Sequence, residues 1–149
     1  MQVTDEGTPD AVIAGQIPIK YRPHVQQFLR EVSKKYEIAV WGSGHPIYVH
    51  GVADELDRER RYIRWRISGF ALSEDKTKDL ADIGRDLRRT VMIDNNPKYM
   101  EKNFDNGIVC KEFVGQKDDS ELLRLSTFLL EQVDSSVTDI RSIVKTWQN

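Results

Sequence analysis

The chain has 149 residues, enough for one domain, and its 39% hydrophobic and 31% charged composition is typical of a globular protein rather than a disordered one. A net charge of −2 gives no general attraction to nucleic acid or anionic membranes. Cys110 is the single cysteine, which excludes an intrachain disulfide. No apolar run reaches the ~20 residues of a membrane helix, and the first residues carry no secretory or transit signal.

The first half of the chain alternates between short strands and helices. Residues 1–20 are irregular or form a small β-ribbon around Gly15. A helix opened by Pro23 precedes the buried strand EIAVW, and a helix opened by Pro46 follows it. Alternating apolar residues predict a strand over Ile63–Ile67.

The second half continues this alternation. We predict an amphipathic helix over Asp79–Leu87, buried strands over Thr90–Ile93 and Ile108–Cys110, and helices over Asp119–Val133 and Val137–Trp147. Helices that alternate with short apolar strands predict an α/β fold with a parallel sheet. The domain organisation we expect is an irregular or ribbon segment, 1–20, followed by one domain, 21–149.

Two strand ends carry residues suited to binding, because ligands of open α/β sheets lie beyond the carboxyl ends of the strands. At the first, Gly42 and Ser43 follow Trp41 and precede a helix. Loop amides at a helix N-terminus can hold a phosphate group. A tight strand-to-helix turn without a ligand explains the same pattern.

At the second strand end, Asp94 and Asn95 follow TVMI. Their oxygens are the hard ligands that magnesium prefers, and magnesium takes few of them from protein. An Asx turn before Pro97 is the alternative. Lys78, between the two strand ends in the chain, is suited to neutralising a carboxylate and a phosphate oxygen, although most lysines are solvated surface charges.

The stretch Arg58–Arg66, RERRYIRWR, is a dense basic patch. Such a patch can contact an acidic partner or a phosphorylated peptide. The alternative is a solvated edge strand, where charge discourages aggregation.

Three stretches together resemble one family. In order they are YRPHVQQFLREVSKKYEIAVWGSG, KDLADIGRDLRRTVMIDNNP and FVGQKDDSELLRLSTFLLEQV. They resemble the NLI-interacting-factor-like phosphatases, which include the small phosphatases of the RNA polymerase II C-terminal domain. The resemblance runs from about Tyr21 to Val144, and three blocks in the right order make it specific.

The resemblance implies a magnesium-dependent phosphoserine/threonine phosphatase with a haloacid-dehalogenase, Rossmann-like parallel sheet and flanking helices. In that family, one aspartate of the first strand attacks phosphorus, and a second acts as general acid and base. By position, Lys78 matches the charge-stabilising lysine, and Asp94 and Asn95 match the pair that supports magnesium. The implied partner is a phosphorylated protein or peptide, without direct nucleic-acid contact and without a membrane span.

Two departures from the family pattern bear on activity. Gly42 stands where the family has a small hydroxyl residue, with Ser43 one step later. The nucleophile motif, Asp-x-Asp-x-Thr after an apolar run, has no counterpart, since the faint likeness at Asp5–Thr8 has Val3 in place of the first aspartate. We therefore expect a fold that lacks or replaces the first central strand, and a chain that by itself lacks phosphatase turnover.

Loss of that strand is also a folding problem, because in the family it lies between the strands that match EIAVW and TVMID. Buried orphan backbone groups cost ~1–3 kcal/mol each, against total stabilities of ~5–15 kcal/mol. Four ways to fill the position are open. Ala11–Gly15 takes it, the two strands pair with each other, another chain donates a strand in a strand-exchanged homodimer, or sequence upstream of Met1 supplies it.

Two functional hypotheses follow. The first is a phosphoprotein phosphatase-like domain with an impaired site, in the nucleus or cytoplasm. The second is a non-catalytic binding module. The same domain with damaged motifs occurs in the presequence receptor of the mitochondrial inner-membrane translocase, so the mitochondrion is the alternative compartment. A phosphopeptide-binding pseudophosphatase, using Lys78 and the patch Arg58–Arg66, is a further form of the second hypothesis.

Overall fold

The computed structural model describes residues 8–69, 77–133 and 136–147. The strands are β1 (Ala11–Ile13), β2 (Ile17–Ile19), β3 (Ile38–Trp41), β4 (Ile63–Ile67), β5 (Met92–Asp94) and β6 (Gly107–Val109), and the α-helices are α1 (Val25–Val32), α2 (Pro46–Leu56), α3 (Glu121–Thr127) and α4 (Arg141–Val144). Leu80–Ile83, Leu87–Arg89 and Pro97–Asn106 are 3₁₀-helical, and Phe128–Gln132 is a π-helical turn. Within the described residues, no helix is long and apolar enough to cross a membrane.

The chain divides into two compact units. The first is Met1–Ala71 with Phe113–Ser126, and the second is Leu72–Glu112 with Thr127–Asn149.

The first unit begins with an antiparallel ribbon of β1 and β2. In its turn, Ala14 and Gly15 have φ of 52° and 71°, and the Gln16 N–H donates to Ile13 O at 3.1 Å. Two successive residues with positive φ form the turn that matches the twist of a hairpin. Ile13 and Ile19 are buried, so the ribbon contributes to the core of this unit.

Helix α2 packs against β1 and against the parallel pair β3–β4. It begins at Pro46, as predicted, and its buried residues are Val49, Val52, Ala53 and Leu56. Gly51 lets the ribbon approach closely, because a Cβ there would overlap the Ile13 side chain. Helix α1 begins at Val25 rather than at Pro23, since His24 between them has a left-handed φ of 67°.

Asp57 ends α2 and orders the arginine-rich loop that follows. Its carboxylate is 4% exposed and accepts N–H bonds from Arg61, Tyr62 and Ile63 at 2.9, 2.8 and 2.7 Å. Burial by itself raises the pKa of this carboxyl, but the three N–H donors hold its pKa below the usual value. The negative charge of Asp57 is therefore part of the fold of the loop.

In the second unit, β5 and β6 pair in parallel, with Asp94 opposite Val109. The buried Asn106 donates from Nδ2 to Leu87 O at 2.6 Å and to Thr90 O at 2.7 Å. These two bonds fix the segment that leads into β5, because they supply hydrogen-bond donors to two backbone carbonyls of that segment.

Two predicted helices differ from the structure. Asp79–Leu87 is two short 3₁₀ helices rather than one α-helix, because Gly84 adopts a left-handed φ of 62° and Asp86 caps a new start. Within Val137–Trp147 the α-helix is only the four-residue α4, and just before it the Asp139 carboxylate accepts the Arg141 N–H at 3.0 Å. Asp119–Val133 is helical from Glu121 onward and ends as a π-helical turn.

Of the ways to fill the first strand position, pairing by Ala11–Gly15 is wrong, because β1 pairs with β2. Within the described residues, β3 pairs with β4 in the first unit and β5 pairs with β6 in the second. The faint motif likeness at Asp5–Thr8 lies almost wholly outside the described residues. Both parallel strand pairs agree with the predicted parallel arrangement.

Candidate functional site

The structure brings Lys78 and Asp94 together in the second unit. Lys78 Nζ lies 2.6 Å from Asp94 Oδ2, and the two side chains are 5% and 12% exposed. A charged lysine is almost never buried to this degree without a partner. The alternative that Lys78 is a solvated surface charge is therefore wrong. Lys78 and Asp94 together are called the charge site below.

Local sequence explains why Asp94 points where it does. It is the last residue of β5, and its O accepts the Cys110 N–H at 3.0 Å, which continues the parallel pairing. Its Oδ1 accepts the Asn96 N–H at 2.9 Å, the Asx-type bond expected before Pro97. The Asx turn therefore forms through Oδ1 alone, and Oδ2 remains directed at Lys78.

Asn95 lies between these anchored residues and is exposed. Its amide follows the strand end directly, next to the Asp94 carboxylate. One carboxylate and one amide oxygen are a hard-oxygen donor set of the kind that magnesium accepts while keeping several waters. No group of three or more His, Cys, Asp or Glu side chains suited to a metal occurs among the described residues.

Gly42 and Ser43 lie in the first unit, at the end of β3. The Gly42 N–H donates to Ile67 O at 2.9 Å, so it extends the sheet and does not face a ligand. Gly44 O accepts the Gly69 N–H at 3.0 Å, which holds the loop against the residue after β4. Ser43 is exposed. Of the two predicted phosphate-binding loop residues, Ser43 remains a candidate for binding phosphate. The Gly42 N–H is already used in a hydrogen bond of the sheet.

Most of the basic patch Arg58–Arg66 is paired with acids of the same unit. These pairs are Arg58–Glu55 at 2.5 Å, Arg60–Asp54 at 3.5 Å, Arg66–Asp54 at 2.9 Å and Arg61–Glu59. Hydrogen bonds from Arg58 and from the Tyr21 hydroxyl lower the pKa of Glu55. Burial, followed by the bond to Glu55, raises the pKa of Tyr21 to about 12. The patch is therefore largely neutralised locally, which favours the solvated edge strand over an acidic-partner surface.

Sequence reasoning missed Tyr99, the third residue at the charge site. Lys78 Nζ lies 4.9 Å from the centre of the Tyr99 ring, and the Lys78 N–H donates to Tyr99 O at 3.1 Å. A usable signal was present in the sequence. Asn96 followed by Pro97 is a helix start, which puts Tyr99 on a first helical turn just after Asp94.

The sequence profile of the NLI interacting factor-like phosphatases matches residues 3–141 of the chain. The chain belongs to this family. The match includes the β-ribbon and so extends further toward the N-terminus than the resemblance that begins near Tyr21. The phosphatase-like identity predicted from the sequence is confirmed.

Relatives from both branches of the family are similar to the chain. CTD small phosphatase-like protein 3 of Caenorhabditis elegans is 30% identical over 136 residues, which cover 89% of this chain and 47% of that protein. The mitochondrial import inner membrane translocase subunit TIM50 of Eremothecium gossypii is 30% identical over 131 residues, which cover 86% of this chain and 27% of that protein.

A solved structure is also similar. The structure of Fcp1, an essential RNA polymerase II CTD phosphatase, matches with a TM-score of 0.56 and 25% identity, over 85% of this chain and 36% of that chain. The predicted haloacid-dehalogenase type of α/β fold is thereby confirmed. The chain spans less than half the length of each of these three proteins.

Proposed function

We propose that the chain is the part of a phosphoprotein phosphatase-like domain that faces phosphate and magnesium, and that by itself it binds a phosphorylated protein or peptide without hydrolysing it. In the second unit, Lys78 is the charge-stabilising residue, and Asp94 and Asn95 are the metal-facing residues. In the first unit, taken by itself, the exposed Ser43 is the proposed phosphate-binding residue of its loop. The observation that carries the proposal is the buried ion pair of Lys78 and Asp94 at the end of β5, 2.6 Å apart.

Burial of this pair supports a role beyond stability. A buried ion pair loses several kcal/mol of hydration per ion, and apolar residues of similar volume are often as stable or more so. The place of Lys78 and Asp94 beyond a parallel strand agrees with where α/β sheets bind ligands.

Magnesium is the cofactor that family membership implies, and the donor set of Asp94 and Asn95 fits it. Both carboxylate oxygens of Asp94 already accept one hydrogen bond, from Asn96 and from Lys78. Each oxygen retains a second lone pair for an ion. When bound, magnesium would neutralise phosphate charge, while the hydrogen bond from Lys78 orients the Asp94 carboxylate.

Turnover requires a nucleophile that the matched motifs do not supply. Asp94 and Lys78 stabilise charge, but neither provides the covalent aspartyl-phosphate step of the family. We therefore expect the purified chain to release no product from a generic aryl phosphate in the presence of magnesium. Turnover that Asp94→Asn abolishes would overturn this expectation.

Magnesium titration tests the binding part of the proposal. A ligand that binds only the folded chain stabilises it, by ~2.7 kcal/mol at a concentration of 100 times Kd. We expect the melting temperature to rise with magnesium, to rise further with phosphopeptide, and to lose both responses in Asp94→Asn. Asp86→Asn is the matched control, because Asp86 is exposed and paired only locally with Arg88. Equal responses of both variants would refute a metal site at Asp94.

A non-catalytic binding module is the second candidate, and the similarity to a mitochondrial translocase subunit favours it. Such a module would place the protein in the mitochondrion, whereas the phosphatase-like proposal places it in the nucleus or cytoplasm. A peptide tested with and without phosphate separates the two. Preference for the phosphorylated form supports the first, and equal binding of a basic amphipathic peptide in either form supports the second.

The domain limits and the assembly belong to the same proposal. Residues 21–149 are the proposed phosphatase-like domain, and the ribbon of β1 and β2 before it contributes to the core of the first unit. Because β3 and β5 each have one strand partner in the described residues, an added strand would complete the pairing. A strand-exchanged homodimer is one source, and light scattering of the purified chain tests it directly.

A further inference from the structure

Tyr99 contacts Lys78 at both ends of the lysine. The Tyr99 carbonyl accepts the Lys78 backbone N–H at 3.1 Å, and the Tyr99 ring centre lies 4.9 Å from Lys78 Nζ. The distal contact has the geometry of a cation–π interaction, which is strongest where water is excluded. Lys78 is 4% exposed, so the ring replaces part of the hydration that the ammonium group has lost.

These contacts belong to a closed circuit of hydrogen bonds that links Asp94, Asn96, Tyr99 and Lys78. The Asp94 Oδ1 accepts from Asn96 N at 2.9 Å, Asn96 O accepts from Tyr99 N at 3.1 Å, Tyr99 O accepts from Lys78 N, and Lys78 Nζ returns to Asp94 Oδ2 at 2.6 Å. Every member of the circuit is therefore held from two sides. A lysine side chain otherwise has many rotamers, and fixing one of them costs conformational entropy.

We propose that Tyr99 is a positioning residue for this site: its ring and its carbonyl hold the Lys78 ammonium group beside Asp94, in the orientation needed to meet a phosphate oxygen. This inference rests on the proposed function for its ligand, but the ordering of Lys78 by Tyr99 does not. The phenol hydroxyl has no part in it, because the contacts come from the ring face and the backbone carbonyl.

Two substitutions and a control separate positioning from general packing. Tyr99→Phe keeps the ring, and Tyr99→Leu removes it while the backbone carbonyl remains. Phe104→Leu is the control, because Phe104 is an aromatic residue of the same 3₁₀ helix that is 65% exposed. The first readout is the NMR signal of the Lys78 ε-methylene protons, which a ring face shifts upfield, together with their relaxation.

We expect the upfield shift and restricted motion of Lys78 in the wild-type chain, Y99F and F104L, and loss of both in Y99L. Should Y99L fail to fold, wild type and Y99F decide the matter, since an unshifted Lys78 in these two overturns the proposal. Equal order of Lys78 in folded Y99L also overturns it.

The second readout is titration with inorganic phosphate in the presence of magnesium. We expect an apparent Kd several-fold higher in Y99L, with Y99F and F104L unchanged. If Lys78 is ordered by Tyr99 but phosphate binds none of the variants, the positioning role stands and the proposed phosphate site fails. If phosphate binds Y99L as tightly as wild type, Tyr99 does not position Lys78 for this ligand and the proposal is overturned.

Discussion

Val49 of α2 occupies the space into which any side chain at position 42 would extend. A Cβ atom on Gly42 would lie 2.5 Å from Val49 Cγ2 and 3.2 Å from Cγ1. Val49 is 3% exposed, so it has little room to move away. Val49 therefore fills the space that a hydroxyl side chain at position 42 would need, and introducing that side chain alone would create a clash.

The first prediction concerns this pair. Gly42→Thr should destabilise the chain by about 1–3 kcal/mol, because overpacking forces side chains off their rotamers. Val49→Ala should also destabilise it, through a cavity. The double variant should lose less stability than the sum of the two single losses, by a coupling free energy of about 0.5–3 kcal/mol. Urea unfolding measures all three, and strictly additive costs would show that the two positions are independent.

The second prediction concerns the buried charge pair. Lys78→Met should cost about 3–5 kcal/mol, because it leaves the Asp94 carboxylate buried without its cation. The double variant Lys78→Met with Asp94→Leu should recover most of that loss, since no charge is then buried. Chemical unfolding of the wild type, Lys78→Met, Asp94→Leu and the double variant provides the test. A double variant whose loss of stability equals the sum of the two single losses would argue against the pairing.

The third prediction concerns acid stability. The pKa of Asp57 is lowered in the folded chain, so its contribution to stability is present above the unfolded pKa, near 4, and is lost as pH falls through the folded value. Asp57→Asn should cost about 1–3 kcal/mol at pH 7 and flatten the pH dependence below pH 4. Asp54→Asn is the control, because its side chain is 49% exposed. Unchanged acid unfolding of D57N would contradict the role of the three N–H bonds.

The fourth prediction concerns the ribbon turn. Ala14 has φ of 52°, which asparagine tolerates better than alanine and which suits Asn-Gly at this turn. Ala14→Asn should raise stability by about 0.4–1 kcal/mol, in the range of other substitutions that match a residue to its native φ. Ala14→Val should lower it, because β-branched residues resist positive φ. A higher melting temperature for Ala14→Val than for Ala14→Asn would refute this account.

Much of the fold was predictable because its signals are local. The helical spacing of Val49, Val52, Ala53 and Leu56, with Pro46 before them, indicated α2 and its first residue. Strand β4 was predicted with its observed limits because apolar and charged residues alternate there. The prediction of one helix over Asp79–Leu87 was wrong because Gly84 and Asp86 interrupt it. The spacing of apolar residues gives no information on a residue with left-handed φ.

The sequence by itself determined the family, the parallel strands, and Lys78 and Asp94 as candidate site residues, because motif order and strand-end chemistry are written in neighbouring residues. Only the tertiary structure decided that these two side chains form one buried pair, that Tyr99 contacts the same lysine, and that the Gly42 N–H extends the sheet. The space filled by Val49 was likewise visible only in the fold. Contacts between residues distant in the chain depend on packing, which no local pattern encodes.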